Sequence, residues 1–167
     1  FYRYDLTESD SPETVSYRYY NDVYRYWILM YSNGIIDPLA QWPLNNQQFM
    51  IYLNDKYSAA ANGVANVLPY ITSNIHHYEQ YIQTTNSIDN QGQTITIEID
   101  GPTYNSFVSS TTTATFGDGS TVTKSVSASA ISIYDYEIKT NEAKRSIQLM
   151  RDIYVPQMES QLKSLMR

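Results

Sequence analysis

The chain of 167 residues contains no cysteine, so disulfide bonds and thiolate metal sites are excluded. It has only two histidines, His76 and His77, which leaves few nitrogen ligands for a zinc site. No apolar run reaches the roughly 18–20 residues that a membrane span needs. The sequence also lacks a nucleophile elbow, a Walker loop and a dinucleotide fingerprint. We therefore expect no metal, no cofactor and no enzymatic activity.

The charge balance limits the classes of partner. The net charge is −6, which disfavours a phosphate backbone or an anionic bilayer surface as a partner, so we expect neither nucleic acid nor a membrane. A chain of this length forms one ordinary domain, or one domain with a small appendage. The sequence begins at Phe1 rather than at methionine, which leaves open whether natural residues, including a targeting segment, precede it.

Tyrosine is unusually frequent, with 17 tyrosines in the chain. A tyrosine side chain combines a large apolar ring with a polar tip and is enriched in contact surfaces. Many of these rings can fill a core. The whole set is too large for one small core, however, so we expect some of the tyrosines to lie at interfaces.

The first 40 residues carry the signals of a strand and two capped helices. Residues 1–6 predict a short strand. Ser11 is a good N-cap, and Pro12 suits the first position of a helix. Asp22 caps a second helix, which the Asn33-Gly34 pair ends. The expected apolar stripe of this second helix consists of Val23, Tyr26, Trp27, Met30 and Tyr31.

Two more helical segments follow. Asn45 or Asn46 caps a third helix, whose apolar side is formed by Phe49, Met50, Leu53 and Tyr57. Residues 58–68 are rich in alanine and favour a further short helix, which Pro69 is expected to stop. The first half of the chain is therefore predicted to be rich in α-helix.

The second half changes to a two-residue period. From Ile75 apolar and polar residues alternate, and residues 94–99 show the pattern of a half-buried strand. Gly117-Asp118-Gly119 predicts a hairpin turn between two arms rich in serine and threonine, residues 109–116 and 120–128. Both arms are polar on both faces, which is typical of a hairpin that protrudes or becomes ordered against a partner.

The last part of the chain predicts one more hairpin and a final helix. Residues 131–138 are expected to form a strand, and residues 145–149 the returning strand after a turn at 141–144. Asp152 can cap the last helix. The apolar stripe of that helix consists of Val155, Met158, Leu162, Leu165 and Met166, which must be buried on its own sheet or on another subunit.

The candidate reactive groups favour structural roles. His76 and His77 are neighbours on a predicted strand, so their side chains should point to opposite faces and cannot bind one ion together. Two carboxylate pairs, Asp135 with Glu137 and Glu98 with Asp100, are each expected on one face of a strand. Nothing around them indicates the apolar pocket that would separate two catalytic pKa values.

The segment from Pro12 to Pro38 resembles the helix–helix core of a LysM module, which has a βααβ fold and usually binds N-acetylglucosamine polymers. The resemblance is carried by the helix led by Pro12, the link Tyr20-Asn21-Asp22, Trp27, and the exit from Asn33-Gly34 to Asp37-Pro38. It ends at the segment WPLNNQQFMIYLNDKY, which predicts a turn and a helix where a LysM module continues with a second strand.

Residues 12–83 and 133–166 are similar to a small baseplate wedge subunit of contractile-tailed, T-even-like bacteriophages, in which a LysM-like domain is embedded. The matching runs are YWILMYSNGIIDPLAQWPLNNQQFMIYLNDKY, IHHYEQYI and YDYEIKTNEAKRSIQLM, in this order. Residues 84–130 have no counterpart. The resemblance implies a structural protein of the virion that links neighbouring wedges of the tail, is assembled in the host cytoplasm and has no catalytic residue.

The implied partners are a large scaffold wedge protein, a small sheath-initiating wedge protein and copies of the chain in neighbouring wedges. The alternative function is a peptidoglycan- or chitin-binding LysM-type module of a tail or cell-wall protein. Trp27 is expected in the core, where its replacement by alanine would cost about 3–5 kcal/mol. Our candidate interface residues are Tyr24, Tyr31, Trp42, Tyr134, Tyr136 and Arg145.

The expected fold class is α+β. A LysM-like βαα core would be followed by a third helix, an antiparallel β region and a C-terminal amphipathic helix. The expected parts are residues 1–72, the LysM-like helical part, residues 73–150, the β region with its Ser/Thr-rich hairpin near 109–128, and residues 151–167, the terminal helix.

Overall fold

The structure is a computed structural model that describes residues 1–88 and 92–166. It is a mixed α+β fold with 46% helix, 28% strand and antiparallel sheets, as predicted. The chain forms two compact units. Unit 1 is built from Phe1–Lys56 and Ile138–Arg167, and unit 2 is Tyr57–Glu137. The expected borders at 72 and 150 do not coincide with this division, because the chain leaves unit 1 after Lys56 and returns to it at Ile138.

Unit 1 contains two short strands and most of the helices. Its elements are β1 (Tyr2–Asp5), α1 (Pro12–Tyr20), a 3-10 turn (Val23–Arg25), α2 (Tyr26–Ser32), α3 (Pro38–Gln41), most of α4 (Asn46–Tyr57), the second half of α7 (Ile133–Ala143), β6 (Ser146–Leu149), a 3-10 turn (Asp152–Tyr154) and α8 (Val155–Leu165).

Unit 2 contains the larger sheet and two short helices. Its elements are a 3-10 turn (Val64–Asn66), α5 (Val67–Ser73), β2 (Ile75–Asn86), β3 (Gly92–Ile99), α6 (Gly101–Asn105), β4 (Ser110–Thr115), β5 (Thr121–Ser132) and the first turn of α7. The strand order is β3-β2-β5-β4, with every pairing antiparallel.

Helix α1 begins and ends where its capping residues predict. The Ser11 hydroxyl accepts from the backbone N–H of Thr14 at 3.2 Å, and the Ser11 N–H donates to the Thr14 hydroxyl at 2.8 Å. This reciprocal pair is a capping box, and Pro12 occupies the first turn, where its missing N–H has no cost. The helix ends at Asn21, which adopts a left-handed φ of 52°.

The apolar stripe predicted for the second helix is wrong in three of its five members. Helix α2 buries Ile28, Leu29 and Met30, whereas three of the expected members, Val23, Tyr26 and Tyr31, are exposed. Asp22 does act as a cap, but the turn that it starts is a 3-10 turn. Because a 3-10 turn has about 3.0 residues per turn rather than 3.6, it rotates the helix that follows relative to a continuous α-helical pattern.

The core of unit 1 contains residues from both the beginning and the end of the chain. β1 pairs antiparallel with β6, with Tyr2 opposite Leu149 and Tyr4 opposite Ile147. Ile147 and Leu149 are buried, as the predicted alternation of residues 145–149 requires. The remaining members of the buried cluster are Leu6, Val15, Tyr20, Ile28, Leu29, Met30, Trp42 and Val155.

Trp42 differs from its expected position, whereas Trp27 agrees with its expected position in part. Trp27 is partly buried and packs against this cluster. Trp42, expected at an interface, is 8% exposed and belongs to the cluster itself. Its indole Nε1–H donates to the backbone oxygen of Asp10 at 2.9 Å, which satisfies the polar group that the buried ring carries.

The sheet of unit 2 confirms the predicted hairpin. β4 and β5 are joined by residues 116–120, in which Gly119 has a φ of 83° and Asp118 Oδ1 accepts from Ser120 N at 2.9 Å. All six residues of β4 are exposed. β3 is a strand, but it is not half-buried as expected, because Ile95 and Ile97 are both exposed.

A strand at residues 131–138 was predicted wrongly. β5 ends at Ser132, and residues 133–143 form α7. The Ser132 hydroxyl bonds to Asp135 Oδ2 at 2.7 Å and accepts from Asp135 N at 3.1 Å, so Ser132 caps this helix. Asp135 and Glu137 therefore lie on a helix rather than on one face of a strand.

Two smaller predictions also fail. Asp100 is not on a strand with Glu98, because its carboxylate accepts from Thr103 N and caps α6. The short helix expected at residues 58–68 is not formed, because residues 58–63 form turns and a bend. Pro69 therefore has no helix to stop, and it lies in the first turn of α5, where no intrahelical donor is required of it.

Candidate interaction surface

The segment around α2 places several large side chains on the surface of unit 1. Asp22 accepts from Tyr24 N at 2.9 Å and fixes the 3-10 turn, which leaves the Tyr24 side chain in solvent. Tyr24 is 82% exposed, and Tyr31, at the end of α2, is 73% exposed. Both were predicted interface residues, and both are free of the core.

The turn after α2 adds two aliphatic side chains that the sequence interpretation missed. Ile36 and Leu39 are 92% and 89% exposed. Asp37, between them, caps α3 by accepting from Leu39 N at 3.0 Å, and Gln41 Oε1 accepts from Ile36 N at 2.7 Å. These bonds hold the backbone while the two side chains remain in water. The sequence signal that could have identified them is the pair of apolar residues on either side of the Asp37-Pro38 turn.

The terminal helix α8 is attached to unit 1 at its beginning and exposed at its end. Val155 is buried in the core cluster, and Met158 packs against it. An ion pair joins Arg25 to Glu159 at 2.9 Å. Farther along, Leu162, Leu165 and Met166 are exposed, with Leu165 at 84%. The predicted stripe is therefore buried only in its first half.

Arg145, another predicted interface residue, is tied into unit 1. Its Nε lies 2.8 Å from both carboxylate oxygens of Glu142, and its side chain is only 16% exposed. Its backbone oxygen accepts from Leu6 N at 2.8 Å. Arg145 thus stabilises the junction between α7 and β6, and only a small part of its side chain can meet a partner.

A buried carboxylate organises the loop between β1 and α1. Asp10 Oδ2 accepts from Thr7 N at 2.9 Å and from the Tyr4 hydroxyl at 3.0 Å. Arg18 Nη1 lies 3.1 Å from Oδ1, close enough for an ion pair but out of line for a hydrogen bond. Burial acts to raise the pKa of Asp10, but the Thr7 and Tyr4 hydrogen bonds and the Arg18 charge outweigh it and lower that pKa.

A cleft of about 410 Å³ lies beside this loop, entirely within unit 1. One side is formed by residues 8–13 and the other by α3 and residues 42–48. Its polar groups include the side chains of Glu8, Asn45 and Gln48. Asn45 and Gln48 cap α4 reciprocally, through bonds of 2.9 and 3.2 Å, which fixes the orientation of both side-chain amides.

Unit 2 contains a cluster of polar and aromatic side chains at the start of β2. Ile75 pairs with Ser132 and His77 with Ile131, so His76 is an extra residue that forms a β-bulge. The two histidines consequently lie together, with 2.8 Å between their Nδ1 atoms. The expectation that they point to opposite faces is wrong, because a bulge interrupts the alternation of a regular strand.

A buried glutamate supports the second histidine. His77 Nε2 lies 3.2 Å from Glu79 Oε1, and the Tyr81 hydroxyl donates to Glu79 Oε2 at 2.5 Å. Glu79 is only 6% exposed. The hydrogen bond to Glu79, together with burial, raises the pKa of Tyr81 to about 12.

Tyr136, a predicted interface residue, belongs to this cluster. Its ring stacks on His76 with 3.8 Å between centroids and an interplanar angle of 8°, and it meets His77 edge-on at 5.7 Å. The next residue, Glu137, is buried and accepts from the Tyr57 hydroxyl at 2.6 Å. Tyr136 therefore packs within unit 2. Tyr134, the other predicted interface residue on α7, is partly exposed.

Within residues 1–88 and 92–166, no group of three or more histidine, cysteine, aspartate or glutamate side chains is arranged to hold a metal ion. No helix in the same ranges is long and apolar enough to cross a bilayer. No family model matches the chain, and no curated protein and no solved structure matches it.

Proposed function

We propose that the chain is a structural subunit of the baseplate wedge of a contractile phage tail, held in place by its neighbours. The resemblance of residues 12–83 and 133–166 to such a subunit supports this function. The proposed location is the virion, with assembly in the host cytoplasm. The chain would act by burying surface against partners and would not be an enzyme.

The observation that carries the proposal is the set of large apolar side chains left in water on the helices and turns of unit 1. Tyr24, Ile36 and Leu39 are each more than four-fifths exposed, as is Leu165 near the end of α8. Exposed apolar side chains mark protein contacts when several occur on one surface, and tyrosines are frequent anchors of such contacts. Partners that bind the subunit from two or more sides would cover both the exposed side chains near α2 and α3 and those at the end of α8.

The partners that fit this proposal are the large scaffold wedge protein, the small sheath-initiating wedge protein and copies of the same chain in neighbouring wedges. A standard protein interface buries on the order of 1,600 Å², and a few side chains supply most of its free energy. We infer that Tyr24 and Tyr31 are anchors of one interface. Their backbone is fixed by the Asp22 cap and by α2, so little conformational entropy is lost on binding.

The direct test is co-expression of the chain with the large scaffold wedge protein and the small sheath-initiating wedge protein of a contractile phage tail, followed by co-purification and measurement of the dissociation constant. We expect a stable complex with at least one of them. Replacing Tyr24 and Tyr31 by serine should weaken that complex by more than about tenfold, because truncating an interface anchor costs more than about 1–2 kcal/mol.

A matched control is Tyr17→Ser, which removes another exposed tyrosine, from α1. It should leave the dissociation constant unchanged, and all variants should melt like the parent. The proposal is wrong if the chain binds no wedge protein and is absent from purified tails. The choice of anchors is wrong if Tyr17→Ser weakens the complex as much as the double variant.

The second candidate function is binding of peptidoglycan or chitin, favoured by the 410 Å³ cleft in the LysM-like part of unit 1. Side-chain amides and carboxylates on its rim could bond to sugar hydroxyl and N-acetyl groups. The cleft does not offer a free aromatic face, because the ring of Trp42 is buried.

A sedimentation assay with insoluble peptidoglycan and with chitin separates the two functions. Saturable binding that Gln48→Ala reduces would favour the glycan-binding function. No sedimentation of the chain, together with co-purification of wedge proteins, would favour the structural function.

A further inference from the structure

The bulge at the start of β2 places two imidazole nitrogens where one metal ion could contact both. His76 and His77 are successive residues, and their Nδ1 atoms are 2.8 Å apart. Two nitrogens at this distance cannot both carry a hydrogen. In the absence of a metal, one Nδ1–H is therefore shared with the lone pair of the other.

The orientation of His77 makes its Nδ1 the lone-pair atom. Its Nε2 faces Glu79 Oε1, and because an ionised carboxylate only accepts, the hydrogen of a neutral imidazole belongs on Nε2. Metal-binding histidines typically donate their second nitrogen to a carboxylate in this way, which fixes the tautomer and raises the basicity of the ligand. Glu79 is itself buried and held by the Tyr81 hydroxyl.

The first histidine is held by its ring. Tyr136 stacks on His76 almost in parallel and also contacts the edge of His77. Since Tyr136 lies on α7 directly after β5, the fold of unit 2 holds the two imidazoles together before any ligand arrives. Each ring would turn on binding, so that its Nδ1 lone pair points at the ion rather than along the line between the two nitrogens. His76 is exposed, so water can reach the pair and fill further coordination positions.

We propose that His76 and His77 bind one divalent transition-metal ion, with Cu²⁺ preferred, through their Nδ1 atoms. The hydrogen shared between the two nitrogens would move to Nε2 of His76, which leaves both Nδ1 lone pairs for the metal and the charge of the protein unchanged. Water would complete the coordination. The site goes beyond the proposed structural function and does not depend on it.

The two nitrogens, which form a hydrogen-bonded pair without a metal, already have the separation that a square-planar ion requires. With metal–nitrogen bonds of about 2.0 Å, adjacent ligands of a square-planar ion lie about 2.8 Å apart, as the two Nδ1 atoms do. Adjacent ligands of tetrahedral Zn²⁺ would lie about 3.3 Å apart. Cu²⁺ and Ni²⁺ accept square-planar nitrogen sites, and Cu²⁺ is the tightest-bound ion of the first-row series.

The composition of the chain makes the test direct. There are no other histidines and no cysteines, so a chain without an affinity tag offers one imidazole pair. The full chain would be titrated with Cu²⁺ by calorimetry and by electron paramagnetic resonance. We expect one ion per chain and nitrogen hyperfine splitting from two imidazoles.

Two pairs of variants test the assignment of ligands and supporting residues. His76→Ala and His77→Ala should each abolish the two-nitrogen spectrum. Tyr136→Phe should retain it, because the phenyl ring can still stack, whereas Glu79→Gln should lower the affinity by about 10–100-fold, as loss of a supporting carboxylate does. Circular dichroism would establish that each variant remains folded.

The proposal is overturned if the chain binds no stoichiometric Cu²⁺. It is also overturned if the resonance spectrum of the bound ion is the same in the parent and in both histidine variants, since the ligands would then lie elsewhere. A preference for Zn²⁺ over both Cu²⁺ and Ni²⁺ would contradict the square-planar geometry.

Discussion

Asp10 shows how one buried side chain determines a local conformation. Its carboxylate is bonded to Thr7 and Tyr4, and its backbone oxygen accepts from the indole of Trp42. The loop between β1 and α1 is thereby joined to the segment that precedes α4. The bond from Trp42, which lies 32 positions later, does not follow from local sequence signals, because it is set by how unit 1 packs.

We expect Asp10→Asn to lower the free energy of unfolding by about 1–3 kcal/mol at neutral pH, because the buried site loses its charge and part of its hydrogen bonding. The folded pKa lies below the unfolded value of about 3.9, so the contribution of the carboxylate is complete above that value. It is lost as the pH falls through the folded pKa. Urea unfolding at neutral pH and near pH ~3 measures the difference.

Asp5→Asn provides the control, since Asp5 is an exposed carboxylate on β1 in a loose pair with Arg3 at 3.7 Å. It should change stability little, because exposed ion pairs contribute little. If the difference between the parent and Asp10→Asn stayed the same in acid, the charge of Asp10 would not be its source.

At the scale of elements, the structure separates local signals from non-local ones. The beginning of α1 follows from Ser11 and Pro12, and the β4–β5 hairpin from the Gly-Asp-Gly turn, because each signal acts within a few residues. The bulge at His76 could not be predicted in this way, since it depends on the register between β2 and a strand more than 40 residues later. For the candidate interaction surface, the sequence identified Tyr24 and Tyr31 but not Ile36 and Leu39.

The helix α7 shows how two local signals can compete. Alternation from Ile131 onwards favoured a strand, but Ser132 followed three residues later by Asp135 is a helix-starting pattern. A five-residue stretch such as 134–138 fits both periods, so periodicity alone could not decide, and the cap was the better guide.

Ser132→Ala should therefore destabilise unit 2 by about 0.5–2 kcal/mol, the usual cost of losing an N-cap. Hydrogen exchange should become faster at the amides of the first turn of α7, in particular at Asp135. Ser127→Ala is the matched control, because Ser127 is an exposed serine on β5. Equal effects of the two substitutions on stability would show that the cap contributes nothing.

At the scale of the whole molecule, the two ends of the chain have opposite roles. Residues 1–6 supply β1 and the buried Leu6, and they cover Ile147 and Leu149 through the pairing with β6. The last turn of α8 supplies only exposed side chains within the described residues. The stability of unit 1 should therefore depend on residues 1–6. Contacts with partners should depend on the last turn of α8.

Removing residues 1–6 should abolish the cooperative unfolding of unit 1, because a core strand is lost. Removing residues 162–167 should change the free energy of unfolding by no more than about 0.5 kcal/mol, as is usual for exposed positions. The same truncation should weaken binding to wedge proteins. Calorimetry and co-purification measure the two effects. A large loss of stability after the C-terminal truncation would contradict this division.

The pairing of β1 with β6 also sets the order of events during synthesis. Arg3 Nε donates to the hydroxyl of Ser146, 143 positions later, so the first strand leaves the ribosome long before its partner exists. At about 5–20 residues per second, the roughly 90 residues between Lys56 and Ser146 take some 5–20 seconds to translate. Throughout that interval β1 lacks its β6 partner, whereas all of unit 2 is synthesised within it, so unit 2 can complete its own sheet before unit 1 can complete the β1–β6 pair.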